Sequence, residues 1–258
     1  MSAWRGRILL CLGLAGLPAF GAVTRHFVTE HFPPYTRASE GRAGGPMVDV
    51  LLAACARLDW HCEIEVLPWR RALSLAEAGQ VDGIFTVVDT PERRQAFRLS
   101  VPVLEGRYTL FARSGQAFPY KDASSLKGRQ IGVYGPSGSS IALNELLQGV
   151  KASVQLEGDN TTVLRKLAAG RYGEQGLALV NEAVALWLLR EEGIAGLQSA
   201  GTVKRFSYHF GLVRQRVSEA EQRQFNEVLS GMCIRGLTAE LVLPYALPAS
   251  ACTPQAPN

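Results

Sequence analysis

Strand-like apolar runs and amphipathic helices alternate along this chain, and the alternation starts over near residue 107. A first series runs from the strand "HFVTE" through the helical stretch "GPMVDVLLAACARL" and the strand "CEIEVLPW" to the helix "RRALSLAEAG" and the apolar run "VDGIFTVV". Met47, Val50, Leu51, Ala54 and Leu58 share one helical face, and Gly79 is placed to stop the second helix. A strand-helix-strand-helix-strand order requires crossover connections. It therefore predicts an α/β fold with mostly parallel sheet rather than a sandwich or a bundle.

The second series reads "RYTLFAR", "RQIGVYG", helix "SIALNELLQG", "SVQLEG", helix "TTVLRKLAAG" and strand "GLALVN". "ALSLAEAGQVDGIFTV" and "VLRKLAAGRYGEQGLALV" follow one scheme of helix, glycine stop, turn and buried strand, which predicts two lobes, each with its own sheet. After residue 205, "YHFGLVR" reads as one more strand and "EAEQRQFNEVLSGMCIRG" as a helix. With 258 residues, 47% of them hydrophobic and 19% charged, the chain can bury cores of this size.

Residues 1–21 stand apart. Arg5 and Arg7 precede the apolar run "ILLCLGLAGLPAF", and Ala19 and Gly21 occupy the minus three and minus one places of a cleavage site. The run is too short to span a bilayer, and the layout predicts a secretory signal peptide. Its removal takes two of the 27 basic side chains and none of the 23 acidic ones, so the net charge falls from +4 to +2. That balance points to no nucleic-acid partner.

An exported chain would retain Cys55, Cys62, Cys233 and Cys252. An even count in an oxidising compartment predicts two disulfides; three pairings are formally possible, and sequence proximity favours Cys55–Cys62 with Cys233–Cys252.

Catalytic signatures are sparse. The sequence has no glycine-rich dinucleotide loop, phosphate loop, nucleophile elbow or zinc-protease motif, and its four histidines lack metal-ligand spacing. No cofactor is expected. "GPSGSS" at 135–140 lies between a strand and a helix, where it can serve either as a serine-capped turn or as an anion site on the free N–H groups of the helix start. In "VDGIFTVVDTPERRQAFRLS" two arginines, Arg93 and Arg94, follow directly on the apolar run.

Taken in order, "TEHFPPY", "GPMVDVLLAA", "GQVDG", "TPERRQAFRLS", "LKGRQIGVYGPSGS" and "FNEVLSGMCIRG" resemble the family 3 bacterial extracellular solute-binding proteins, over about residues 25 to 245. The resemblance implies a two-lobed periplasmic-binding-protein fold of type II: each lobe a mostly parallel sheet flanked by helices, two hinge strands, and a ligand held in the cleft. The implied division is signal peptide 1–21, lobe 1 at 22–106, lobe 2 at 107–205, and a return to lobe 1 with a C-terminal tail at 206–258. The implied function is that of a non-enzymatic periplasmic receptor, monomeric, which hands a small polar, carboxylate-containing ligand to an inner-membrane ABC importer. Two alternatives stay open: a stand-alone or sensory receptor, and a same-fold periplasmic dehydratase of the cyclohexadienyl type with Glu30 or Glu182 as the acid. The "CARLDWHC" spacing also matches a disulfide of some basic-amino-acid members.

Site residues carry over one at a time. Arg93, in the family's Thr-x-x-Arg, is expected to clamp the ligand's carboxylate with its planar fork, leaving Arg94 on the surface. Trp69, 13 residues before Asp82, matches an aromatic that packs on the ligand. Glu30 matches an acid that contacts ligand polar groups, and Thr86 matches a position whose backbone faces the ligand. Ser137 and Gly138 match the lobe 2 loop that completes the carboxylate site. Two positions depart from the pattern: Val88 stands where a hydroxyl is expected, and Asn181, with Glu182 beside it, stands where an aspartate usually neutralises an ammonium.

Overall fold

The computed structural model describes residues 23–39, 41–116 and 118–251. The signal-peptide expectation at 1–21 lies outside the described residues, as does Cys252 and with it the Cys233–Cys252 pairing. In the first half β1 (Val23–Thr29) leads through a small hairpin, β2 (Arg37–Ser39) and β3 (Arg42–Gly44), to α1 (Pro46–Arg57), β4 (Trp60–Val66), α2 (Trp69–Glu77) and β5 (Gly83–Val88). A short helix α3 (Pro91–Ala96) and β6 (Phe97–Leu99) precede the long β7 (Leu104–Arg113). The second half holds β8 (Gln130–Tyr134), α4 (Gly138–Leu146), β9 (Ser153–Glu157), α5 (Asn160–Ala168), β10 (Leu177–Asn181) and α6 (Glu182–Glu191). The chain returns along β11 (Leu197–Val213) and ends in α7 (Glu219–Ile234) and α8 (Leu237–Val242), which pack on α1.

Strand order is β4-β1-β5-β11-β7-β10-β8-β9, with β6 also on β11. Pairing is parallel within each half, β4-β1-β5 in the first and β10-β8-β9 in the second, as the crossovers demand. β7 and β11 run antiparallel to their neighbours and to each other. β11 pairs with β7 from Leu197 to Tyr208 and with β5 from Tyr208 to Leu212. The hydrogen-bonded ladder is therefore continuous through it, where separate sheets were expected. β11 also begins well before "YHFGLVR". Its first half is polar, half exposed and interrupted by Gly201, so it carries no strand signature.

β5 is buried from Gly83 to Val87 because β1 and β11 flank it and helices cover both faces. Gly83 fits only as glycine, since a Cβ there would stand 2.3 Å from the Phe27 ring. The Cys55–Cys62 disulfide ties the end of α1 to the start of β4. No helix among the described residues is long and apolar enough to cross a membrane.

Candidate functional site

Both halves contribute to one cavity at the C-terminal ends of their parallel strands. From the first half come Glu30, just past β1, then Phe32, Trp69 opening α2, Thr86 and Val88 ending β5, and Arg93. Facing them are Tyr134, which ends β8, then Ser137, Gly138 and Ser139 at the start of α4, Asn160 opening α5, and Asn181 ending β10. Tyr108 of β7 and Tyr208 of β11 line the floor between the halves. About 30 Å³ remains free, room for two waters at most, so the cleft is closed.

Local sequence explains the first wall. "DTPER" supplies Thr90 as N-cap, whose hydroxyl accepts from the Arg93 N–H at 3.3 Å, and Pro91 where its missing N–H costs nothing. Arg93 is thereby set facing inward and only 7% exposed. One edge of its guanidinium donates to Glu77 at 3.0 Å, and its centre lies 5.9 Å from the Trp69 ring centroid. Burial pulls its pKa down while the Glu77 carboxylate opposes the shift, and the group stays charged. Arg94 points the other way, 58% exposed, held by both Asp89 oxygens at 2.5 Å.

Thr86 adopts φ 64°, a left-handed conformation that is costly for a β-branched residue. Its Oγ1 and the Trp69 Nε1 are both buried without a hydrogen-bond partner. Both therefore bring unmet hydrogen-bonding capacity to the cavity wall.

On the facing wall Ser137 caps α4, and its hydroxyl also donates to the Tyr134 carbonyl at 2.6 Å. The hydroxyl is thus engaged within its own turn, whereas the first N–H groups of α4, at Gly138 and Ser139, have no acceptor within the helix. Asn181 caps α6: its Oδ1 accepts from the Val184 N–H at 3.1 Å, and its Nδ2 donates to the Tyr208 hydroxyl at 3.0 Å. The Tyr35 hydroxyl touches both amide atoms, at 3.2 and 3.4 Å. Glu182 instead pairs with Arg107 and lies outside the cavity.

Besides the Tyr35–Asn181 pair, further contacts bridge the halves. Tyr134 donates to Glu30 at 3.1 Å, Arg70 donates to the Gly135 carbonyl at 3.0 Å, and Gly138 packs on Val88. Part of Glu30's surface meets the cavity, yet burial, which outweighs the Tyr134 hydrogen bond, pushes its pKa up to about 8. Burial therefore favours the neutral form of Glu30, while Arg93 brings the fixed charge of the lining.

The sequence pattern of one family, the bacterial extracellular solute-binding proteins, family 3, matches residues 25–242. The chain belongs to that family. No curated protein matches it. Among solved structures, a histidine kinase sensor domain with similarity to periplasmic binding proteins superposes with TM-score 0.77 at 19% identity, covering 88% of this chain and 98% of that one. An ancestral arginine-binding protein bound to arginine gives TM-score 0.73 at 21% identity, with 86% and 98% covered. The arginine-, lysine-, histidine-binding protein ArtJ of Geobacillus stearothermophilus gives 0.72 at 20%, with 86% and 95% covered. At these identities the likeness speaks for the fold: two-lobed α/β, as the sequence led us to expect.

In this family 3 chain, all eight residues singled out from the sequence (Arg93, Trp69, Glu30, Thr86, Val88, Ser137, Gly138 and Asn181) line the one cavity. Trp69 does not offer both ring faces, because the Arg93 guanidinium lies over one of them. The sequence reading missed Phe32, Tyr108, Tyr134, Ser139, Asn160 and Tyr208. Tyr134 and Asn160 were findable, since each sits where a strand ends or a helix begins on the rim that carries the site. The two strand tyrosines, Tyr108 and Tyr208, had no local signal.

Proposed function

We propose that this solute-binding protein is a periplasmic receptor that captures a small carboxylate-bearing ligand, an amino acid or analogue, between its two lobes and delivers it to an inner-membrane ABC importer. The supporting observation is Arg93: a buried, permanently charged fork at the cavity wall, with one edge fixed by Glu77, opposite the unpaired N–H groups that open α4. Carboxylate oxygens would satisfy that fork and those N–H groups together. The unpartnered Trp69 Nε1 and Thr86 Oγ1 supply two further donors.

In this reading the lobes, 22–106 with 206–258 and 107–205, close as bodies about β7 and β11, and the ligand favours closure by touching both. The protein acts as an exported monomer. A mature-protein thermal-shift screen of amino acids, their oxo and hydroxy analogues and dicarboxylates tests it. A ligand at about 100 times its Kd stabilises by roughly 2.7 kcal/mol, several degrees at this size. Arg93→Ala should abolish the shift and Arg93→Lys only weaken it; a shift indifferent to both refutes the carboxylate reading.

A sensory receptor is the second reading, supported by the likeness to the histidine kinase sensor domain. Loss of ligand uptake on deletion of the gene supports the importer role. Intact uptake with lost transcriptional response supports the sensor.

A further inference from the structure

The charges around the cavity bear on what accompanies the carboxylate. A zwitterionic amino acid brings an ammonium group into the same closed space, where it needs an ionised carboxylate or several free acceptors, since burying it unpaired is costly. The acids near this cavity are committed elsewhere. Glu77 holds Arg93 at 3.0 Å, Glu182 pairs with Arg107, and Asp159 caps α5 through the Thr162 N–H at 2.6 Å. Glu30 does line the cavity, but one of its carboxyl oxygens takes a hydrogen bond from Tyr134 at 3.1 Å, and burial favours its neutral form.

Neutral oxygens remain, on Thr86 and Asn160 among others, but the group standing where the family's aspartate is expected is the Asn181 amide, and its orientation is fixed. The Val184 N–H can only donate, so the atom it meets is the oxygen, and the nitrogen is thereby turned toward Tyr208. With Tyr35 against both atoms, the amide has no free lone pair facing the ligand space. Phe32, Trp69, Tyr108, Tyr134 and Tyr208 add five aromatic side chains to the lining, and the one guanidinium, Arg93, has no ionised partner on the cavity side beyond the edge held by Glu77.

We infer that the cleft selects carboxylates that carry no free α-ammonium group, namely 2-oxo and 2-hydroxy acids, because Asn181 is locked between α6 and two tyrosines and no unpaired carboxylate lines the cavity. The inference rests on Arg93 as the carboxylate clamp. An oxo or hydroxyl group at C2 matches what the walls offer: the Trp69 N–H, the Thr86 hydroxyl and a protonated Glu30 can all donate to it.

Isothermal titration at pH 7 with three matched probes of one side chain (phenylpyruvate, phenyllactate and phenylalanine) and three of another (pyruvate, lactate and alanine) tests it. In at least one set the oxo or hydroxy acid should bind ten-fold or more tighter than its amino acid. Asn181→Asp keeps an oxygen for the Val184 N–H and gives both tyrosines a carboxylate to donate to, so it should move the preference toward the amino acid. An amino acid that binds the wild type as tightly as its analogues overturns the inference while leaving the carboxylate reading intact. Analogue binding that survives Arg93→Ala overturns the clamp instead, and silence from all six probes overturns both.

Discussion

Gly138→Ala separates the stability of the fold from the stability of the closed cleft. A Cβ built at Gly138 stands 2.4 Å from the Tyr108 hydroxyl and 2.6 Å from Val88 Cγ2. The two overlaps belong to different states. Tyr108 packs in the same apolar cluster as Ile131, Val133, Ala142 and Leu143, on Gly138's own side, so that overlap persists with the cleft open or shut. Val88 ends β5 of the other half and is met only on closing. Overpacking of this kind costs about 1–3 kcal/mol. In the first case it is offset by the roughly 0.4–1 kcal/mol that a Gly→Ala change contributes by restricting the unfolded chain. The unliganded melting temperature should therefore move by only a few degrees. In the second case nothing offsets it, and a penalty of about 1–3 kcal/mol on closure weakens ligand binding roughly 5- to 150-fold. Calorimetric titration of a bound carboxylate probe reads the loss, with scanning calorimetry of the free protein as control. Val88→Ala in the Gly138→Ala background should restore affinity, and Tyr108→Phe should restore the melting temperature. Affinity within two-fold of wild type would refute the closed packing of α4 on β5.

Three further perturbations have computable directions. Glu30→Gln tests the buried acid. The folded protein holds the Glu30 proton up to about pH 8, while the unfolded chain releases it near the ordinary value of 4.5. Stability therefore falls as pH rises through that window, by at most about 1.4 kcal/mol per unit, and cleft opening limits the total. The wild type minus Glu30→Gln difference in melting temperature should be flat below pH 4.5 and turn against the wild type by pH 8; parallel profiles from pH 4 to 9 would contradict this. Replacing Cys55 and Cys62 by alanine releases an eight-residue loop worth roughly 2.5 kcal/mol, or about 5–10 °C, measurable by scanning calorimetry. Thr86→Gly removes a strained φ of 64° and an unpaired hydroxyl, so it should raise the unliganded stability by about 1 kcal/mol in urea titration and weaken carboxylate binding; lower stability would contradict the strain.

What could be read from the sequence follows how local each determinant is. β5 and the helices α1, α2, α5 and α7 announce themselves because their periodicity reflects burial by immediate neighbours. The first half of β11 does not: residues from Leu197 to Arg205 pair along β7 with an exposed or half-exposed face, and pairing alone leaves no apolar pattern. Arg93 was legible for a local reason too, since the Thr90 cap and Pro91 lie within its own turn. The state of Asn181 was not, because the partners that lock its amide include residues 146 positions before it and 27 after it. Glu30 likewise has its raised pKa from burial by the folded chain, against the opposing hydrogen bond of Tyr134, 104 residues away, and neither is written near Glu30 in the sequence.

The adjacent arginines show how the fold turns one short stretch into two functions. Successive residues of a helix project about a third of a turn apart, so the six-residue α3, with Thr90 fixing its start, must send Arg93 and Arg94 to different surfaces. The pleat of β5 does the same for the residues before it: Val88 lines the cavity, while Asp89 lines a groove of about 840 Å³ on the outer side together with Arg94 and His209. Asp89 therefore pairs with Arg94 and cannot reach Arg93, whose charge stays available to the cleft. An acid one residue earlier, in place of Val88, would compete for the inward arginine; an apolar Val88 leaves the edge of the Arg93 fork that Glu77 does not hold available to an anion.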